Sequence, residues 1–353
     1  MTFLYVLLAI ALLGILITVH EYGHFIAARL TGIAVKEFSI GFGPKLFQWK
    51  SKKHETLFSL RPIPMGGYCM FYGDTDDDSD ALTLDDPQSY YNTPVWKRMV
   101  SIVSGPLMNL LLAFVVSVLF MAMYGSAVTQ PYIHSVEAGM PAETAGLMPG
   151  DVILQVGDQM LDGASVANVS DAIASAQENA PLSITVERNG QTLSLLSHPV
   201  LDEVENRWRI GIMVSGVREL FPGEVLPAAW DSCVFAGGLI LDALGKVITT
   251  GEGLDQTTGP VGMVRLIAEE TRVGGFSIFL NLMIIISINL GLFNLLPIPG
   301  LDGSRLVFSL IELVFRKRVS MKVESIIHVF GYALLLGAML FFTFRDVGKI
   351  FGI

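Results

Sequence analysis

Long apolar runs alternate with polar segments along this chain, and four runs are long enough to cross a lipid bilayer, which needs roughly 20 residues. They lie at about Phe3–Val19, Val100–Met123, Phe276–Leu296 and Ile326–Phe344. The first run continues helically through His24. It lacks the basic start of a secretory signal, and HEYGH occupies the place of a cleavage site, so we interpret it as a retained helix. The pattern predicts a polytopic α-helical membrane protein with four transmembrane helices.

A fifth run, Ser232–Thr250, is interrupted by Asp242 and Lys246 after about ten apolar residues. Charges in the middle of a bilayer are costly. We therefore interpret this run as an amphipathic helix that lies at the membrane interface.

Composition supports a membrane protein, because only 16% of the 353 residues are charged and 52% are hydrophobic. A soluble globular chain carries about 25% charged residues. The net charge of −10, without a basic run, argues against nucleic acid as a partner. The two cysteines, Cys69 and Cys233, provide neither a disulfide framework nor a zinc-binding spacing.

The distribution of Lys and Arg predicts the orientation in the membrane. Residues 28–99 contain nine Lys or Arg, and five more follow the third run. Residues 125–273 carry a net charge of −12. The positive-inside rule places both basic loops in the cytoplasm, and places residues 125–273 and both termini outside.

The outer segment contains one readable domain. Pro131–Gly163 has short β-rich runs between Gly and Pro turns, Val169–Gln177 is helical, and Ser183–Leu196 forms two strands joined by an Asn-Gly turn. This order and the motif PAETAGLMPGDVILQVGD resemble a PDZ domain. PDZ domains bind peptide ends by adding a strand to a sheet edge. The alternative is an unrelated small β-rich domain.

The motif His20-Glu21-Tyr22-Gly23-His24 carries the candidate chemistry. Residues i and i+4 lie on one face of a helix, so both imidazoles can reach one metal ion. Glu21 lies beside them, where a carboxylate can take a proton from water at the metal. The alternative is a polar helix end at the cytoplasmic interface.

Catalytic zinc usually has three protein ligands, so a third is expected at the same membrane depth. Asp302, in NLLPIPGLDG, directly follows the third run, and two prolines interrupt the helix ahead of it. His328 is a weaker candidate, and Asp302 could instead cap a helix. Asp302 can meet HEYGH only if Ser232–Thr250 does not cross the membrane.

These motifs together resemble the bacterial site-2 proteases, and most closely the regulator-of-sigma-E protease type, which cuts transmembrane substrates such as anti-sigma factors. The resemblance covers nearly the whole chain. It extends to GIAVKEFSIGFGPKL (Gly32–Leu46), RPIPMGGYCMFYG (Arg61–Gly73), SGPLMN (Ser104–Asn109) and TTGPVGMVRL (Thr257–Leu266).

The resemblance implies roles for individual residues. His20, His24 and Asp302 would bind Zn2+, and Glu21 would be the general base. The resemblance also places Asn294 and Pro297 beside the substrate. Gly32–Tyr72 resembles the family's membrane-associated β-hairpin region, which pairs with an unwound substrate strand or only braces the helices. Asn109 is interpreted as a helix-packing residue near the site. Proteases of this type commonly carry two PDZ domains, whereas this chain has one.

The predicted organisation is therefore a membrane core at 1–124, a PDZ domain at 125–215, a linker with the interfacial helix at 216–275, and a second part of the core at 276–353. We expect a zinc-dependent intramembrane endopeptidase of the bacterial inner membrane, active on single-span substrates such as anti-sigma factors or remnant signal peptides. Its partners would be that substrate, a peptide or protein ligand at the PDZ domain, and the bilayer. The alternatives are a membrane-anchored PDZ binding module with a non-catalytic metal site, and a transporter.

Asp74–Asp85 loosely imitates the acidic loop of an EF-hand. Its sixth position is Ser79 rather than the glycine that makes the sharp turn. We interpret the segment as a solvated acidic loop.

Overall fold

The computed structural model describes residues 2–52, 55–73, 87–161, 166–175, 180–188, 190–202, 207–218, 220–252 and 258–351. The helices are α1 Thr2–Thr31, α2 Val95–Tyr124, α3 Pro141–Thr144, α4 Val166–Ala174, α5 Pro222–Thr250, α6 Pro260–Asn294, α7 Asp302–Phe315 and α8 Met321–Phe351. The strands are β1 Val35–Phe42, β2 Phe47–Lys50, β3 Leu57–Leu60, β4 Ile63–Phe71, β5 Ser126–Val136, β6 Val152–Val156, β7 Gln159–Met160, β8 Leu182–Arg188, β9 Gln191–Ser197, β10 Val200–Asp202, β11 Arg207–Arg209 and β12 Ile212–Arg218. The acidic segment Asp74–Asp85 lies outside the described residues.

The chain divides into two compact units. The first combines Met1–Phe120 with Ala229–Ile353, and the second is Met121–Ala228.

Five helices of the described chain are long and apolar enough to cross a membrane, rather than the four predicted. They are α1, α2, α5, α6 and α8. The additional candidate is α5, which contains the run Ser232–Thr250. The sequence pattern underestimated it because the helix begins ten residues earlier, at Pro222, and is therefore long enough to be a candidate span.

The 35 residues of α6 form two helices that meet at Gly275, whose φ of 68° and ψ of −152° are not helical. Only glycine adopts this conformation without strain. The second part, up to Asn294, is the predicted third span. The first part, from Pro260, was not predicted as helix.

The end of α8 is attached to the start of α6. The backbone N–H of Gly262 donates to the Asp346 carboxylate at 2.8 Å, and this aspartate is 5% exposed. A carboxylate there satisfies one of the unpaired N–H groups at a helix N-terminus and complements its dipole. Further towards the start of α8, Gly331 lies directly against the backbone of Pro299. One helix therefore supports both the start of α6 and the segment that follows it.

Residues 35–71 form a four-stranded sheet and not a simple hairpin. The strand order is β2-β3-β1-β4, in which β1 and β3 are parallel and the other pairs antiparallel. The sequence pattern did not reveal the parallel pair, because a parallel pairing has no tight-turn signal. β4 is an edge strand of this sheet.

The second unit is a sheet with strand order β12-β5-β6-β8-β9, and α4 contributes to its apolar core. β8 and β9, which precede and follow the predicted Asn-Gly turn, pair in antiparallel register, with Arg188 opposite Gln191. Asp151 is 1% exposed and binds Arg188 through two contacts, at 2.6 and 2.7 Å. Such bidentate geometry is needed to offset the desolvation of a buried carboxylate.

Candidate active site

Two buried histidines and an aspartate converge in the first unit. His20 and His24 lie one turn apart on α1, and each is 7% exposed. Asp302 is the first residue of α7, directly after the non-helical segment that follows Asn294. The residue at the N-cap is Leu301, so the Asp302 carboxylate does not cap the helix and points to the histidines instead.

The three side chains have the geometry of a metal-binding group. The Oδ2 atom of Asp302 lies 3.1 Å from Nε2 of His20 and 3.2 Å from Nε2 of His24. The two Nε2 atoms are 3.2 Å apart. All three ligand atoms lie within 4.8 Å of one another.

Hydrogen bonds from α2 fix both imidazole rings. His24 Nδ1 lies 2.8 Å from the carbonyl oxygen of Ser101, to which it donates. His20 Nδ1 lies 3.2 Å from Nδ2 of Asn109, while Oδ1 of the same amide is buried and unpaired, which favours the flipped amide with Oδ1 at the ring. When the amide oxygen faces Nδ1, that nitrogen donates and Nε2 is left as a ligand. Asn109 thus contacts a predicted metal ligand directly, beyond the packing role expected from the sequence.

These contacts make the site fit a cation. With Nδ1 of each ring as the donor, both Nε2 atoms carry lone pairs directed at the carboxylate. Asp302 Oδ2 is buried and has no hydrogen-bond donor. Three converging electron pairs in a buried site need a positive charge among them. Two imidazoles and one carboxylate are a typical ligand set for catalytic zinc.

Glu21 is held against the strand β4. Its carboxylate accepts a hydrogen bond from the backbone N–H of Cys69. A Cβ atom at Gly67 would lie 3.3 Å from the Glu21 side chain and 2.8 Å from the carbonyl oxygen of Ser39. Only glycine therefore allows β4 to lie between β1 and the helix at this point.

A cavity of about 460 Å³ contains the whole group. It is lined by His20, Glu21, His24, Gly67, Tyr68, Cys69, Met70, Phe71, Ile102, Asn294, Gly300, Leu301, Asp302, Arg305 and Tyr332. Asn294 lines this cavity, whereas Pro297 is outside the set of described residues that line it. Tyr68, Arg305 and Tyr332 also line the cavity, although the sequence pattern did not predict them there. For Arg305 a signal existed, since it lies one helical turn after Asp302.

A polar network supports the sheet beside the cavity. Arg61 binds Glu37 at 3.0 Å, the hydroxyl of Tyr68 at 2.6 Å and the carbonyl oxygen of Gly43 at 2.7 Å. Burial alone would raise the pKa of Glu37, but hydrogen bonds from Ser59 and Arg61 hold this pKa below its usual range. The network joins β1, β3 and β4 and fixes the side chain of Tyr68.

The weaker ligand candidate, His328, is not part of the group. It lies near the start of α8, where its ring packs against Phe308 and Tyr332. Its Nε2 atom is 3.8 Å from Glu324. Of the other histidines, His54 lies outside the described residues.

An HExxH helix whose two buried histidines face an aspartate, in a protein with several membrane-length helices, defines a membrane metalloprotease. The chain belongs to peptidase family M50, whose sequence profile matches residues 8–338. This match confirms the resemblance to site-2 proteases, and zinc is the metal of this class.

Curated relatives match this chain over nearly their whole length. A Brucella suis protein, classed by its name among zinc metalloproteases, is 33% identical over 360 residues, which cover 95% of this chain and 93% of the relative. A Fusobacterium nucleatum protein of the same description is 35% identical over 99% of this chain and all of the relative. Metalloprotease MmpA of Caulobacter vibrioides is 31% identical over 96% of this chain and 94% of its own.

Two solved structures each match about a quarter of the chain. The PDZ domain of an SdrC-like protein from Listeria monocytogenes is 20% identical, with a TM-score of 0.22, and covers 25% of this chain and 90% of that domain. A Listeria innocua PDZ domain matches with the same identity and TM-score.

Proposed function

We propose that this protein is a zinc-dependent intramembrane endopeptidase that cleaves single-span transmembrane proteins such as anti-sigma factors or remnant signal peptides. One observation carries the proposal. The ligand group of His20, His24 and Asp302 shares a cavity with Glu21, and both histidines lie on a helix long enough to cross a membrane.

The roles follow from the contacts of each side chain. His20, His24 and Asp302 would hold zinc, which when bound acidifies water and polarises the scissile carbonyl. Glu21 takes the proton of the attacking water and passes it to the departing amine. The N–H of Cys69 fixes the Glu21 carboxylate for both transfers. Membrane helices around the cavity restrict water to the site of reaction.

A helical substrate must unwind before cleavage, because its carbonyl groups are hydrogen-bonded within the helix. β4 is an edge strand, and its residues 67–71 line the cavity. An edge strand offers unpaired N–H and C=O groups to an extended peptide. We assign to β4 the role of pairing with the unwound substrate. The side-chain amide of Asn294 would make a second contact with the exposed substrate backbone. Pro297 is assigned only to shaping the segment ahead of Asp302.

The proposed topology has the site at the cytoplasmic face of the bacterial inner membrane. α1 and α6 both run towards the ligand group, whereas α2 starts beside it at Ser101. Between the end of α2 and the start of α6 the chain can therefore make no net crossing, and α5 does not count as a complete span. The Lys and Arg distribution then puts residues 125–273 and both termini outside the cytoplasm.

We retain the domain assignment of 125–215 as a PDZ domain. Its support is the arrangement of the second unit, in which edge strand β12 faces α4. A groove of about 150 Å³ there is lined by Ser170 and Ile173 of the helix and by residues 207–212. The proposed ligand of this groove is a peptide or protein end.

The two alternatives differ in what they predict. A PDZ binding module with a non-catalytic metal site would bind peptide ends without turnover. A transporter would move ions through the group of His, Glu and Asp, but the sequence has no visible internal repeat of the kind that many transporters carry.

Metal removal tests the proposed function. We expect the purified protein to cleave a tagged single-span substrate in detergent. A zinc chelator should lower the rate at least about a hundredfold, because the bound metal is needed for the reaction. Zinc should restore cleavage and magnesium should not, because magnesium prefers oxygen ligands. Chelator-resistant cleavage would contradict the proposal, and peptide binding without cleavage would favour the binding module.

Replacement of Asn294 tests the unwinding step. Asn294→Ala should slow cleavage of a helix-stable substrate about tenfold, because a lost hydrogen bond that stabilises the transition state by about 1.4 kcal/mol lowers the rate by this factor. A substrate with a Gly-Pro pair in its span should be affected less, since its backbone is already exposed. Equal rates of wild type and variant on both substrates would exclude this role.

A further inference from the structure

The helix α7 has a reversed distribution of apolar and polar residues. Its buried positions are small or polar, namely Gly303, Ser304 and Ser309. Its exposed positions are apolar, namely Val307, Leu310, Leu313, Val314 and Phe315, and the last two are 70% and 69% exposed. A water-exposed helix has the opposite pattern. With 14 residues α7 is too short to cross a bilayer, so its apolar face fits the acyl-chain boundary of the membrane.

A basic group follows this apolar end directly. Arg316 and Lys317 are both exposed, and Arg316 has no ion-pair partner among the described residues. Arg316 adopts a left-handed conformation, with φ 53° and ψ 23°. Glycine or asparagine is the usual residue there, so an arginine in this conformation suggests that its side chain has another role.

A groove of about 680 Å³ lies beside this basic group. It is lined by Tyr91, Asn92, Thr93, Pro94, Val95, Glu312, Leu313, Arg316 and Arg318. The guanidinium of Arg318 lies 3.6 Å from the ring centre of Tyr91 and also donates to Glu312 at 3.1 Å. The groove thus combines fixed cationic groups with hydroxyl, amide and apolar surfaces.

The acidic residue in the groove is already neutralised. Glu312 accepts hydrogen bonds from Arg98 at 2.7 Å and from Arg318. Burial alone would raise the pKa of Glu312, but Arg98 and Arg318 hold this pKa below its usual range. Arg316, which lines the groove, and the exposed Lys317 next to it consequently give this site a positive charge.

We propose that this groove binds the headgroup of an anionic phospholipid, with the phosphodiester at Arg316 and Lys317 and the acyl chains along Leu313, Val314 and Phe315. Charge complementarity selects an anion, and the adjoining apolar face selects a lipid over a soluble phosphate. The site is distinct from the catalytic cavity: none of the residues lining the groove also lines that cavity.

Binding of labelled phosphatidylglycerol to the detergent-solubilised full chain tests the proposal. We expect phosphatidylglycerol to bind at least tenfold more tightly than phosphatidylcholine. Each cation near an anionic lipid contributes a factor of roughly five, so Arg316→Gln/Lys317→Gln should weaken binding about 25-fold. The matched control is Arg265→Gln/Arg272→Gln, which removes two exposed cations of α6 and should leave the affinity unchanged.

Three outcomes would overturn the proposal. These are equal affinity for both lipids, an unchanged affinity in the double variant, or complete competition by millimolar inorganic phosphate, which would indicate a site for free anions. The result is separable from the proposed proteolysis, because it measures binding alone. The double variant retains the whole catalytic cavity, so its cleavage of substrate in detergent without added lipid should equal that of wild type.

Discussion

Glu21→Gln is expected to lower the rate of substrate cleavage at least about a hundredfold, the lower end of the contribution of a positioned general base. The amide has the size of the carboxylate but cannot accept the proton of the attacking water. Its neighbours, the three proposed ligands, are unchanged, so zinc should remain bound in about the wild-type amount. Cleavage of a tagged single-span substrate and metal content by elemental analysis are the two measurements.

The matched control for this substitution is Glu269→Gln, on the exposed surface of α6. It should cleave at the wild-type rate. Equal cleavage by Glu21→Gln and wild type would mean that another group is the base or that a contaminating protease is present. Loss of zinc together with activity would instead assign Glu21 a role in holding the site together.

Gly105→Ala is expected to abolish zinc binding, although residue 105 offers no ligand. A methyl group at Gly105 would overlap with Nε2 and Cε1 of His24. The ring cannot move away without losing its bond to Ser101, and neighbouring Gly23 is packed equally closely against the carbonyl oxygen of Ser104. Loss of a hydrogen-bond partner of a metal ligand alone lowers metal affinity about 10- to 100-fold. Displacement of the ligand His24 itself should therefore lower zinc affinity by more than about a hundredfold.

Gly337→Ala provides the control, because an added methyl group at that position of α8 meets no atom within 4 Å. Alanine favours a helix over glycine by about 1 kcal/mol, so this variant should be as active as wild type and slightly more stable. Zinc content, cleavage and thermal unfolding would be compared for both variants. Full zinc occupancy in Gly105→Ala would show that the two helices can separate at this crossing.

The ligand group was predictable because its signals are local. His20 and His24 are related by helical spacing, and Asp302 is marked by its position after a proline-interrupted span. The cavity walls were not predictable in the same way. Tyr68 reaches the site through the pairing of β1 and β4, which joins segments without a tight-turn signal between them.

Other errors have equally specific causes. α5 was judged from the run Ser232–Thr250 alone, so the ten helical residues that precede it, from Pro222, were overlooked. Asn109 was interpreted as a packing residue because hydropathy indicates that a polar side chain is buried but does not identify its partner. Its contact with His20 depends on how α1 and α2 cross, and this crossing is determined by Gly23 and Gly105.

The attachment of α8 at two points has a mechanical consequence. Asp346 and Gly331 are fifteen residues apart, a length of about 22 Å along a helix. A continuous helix keeps its two contact points at a constant separation, so α8 holds the start of α6 at a fixed distance from the turn that precedes Asp302. Distance from the metal is therefore a poor measure of importance in α8: a residue at its far end can bear directly on the geometry of the site.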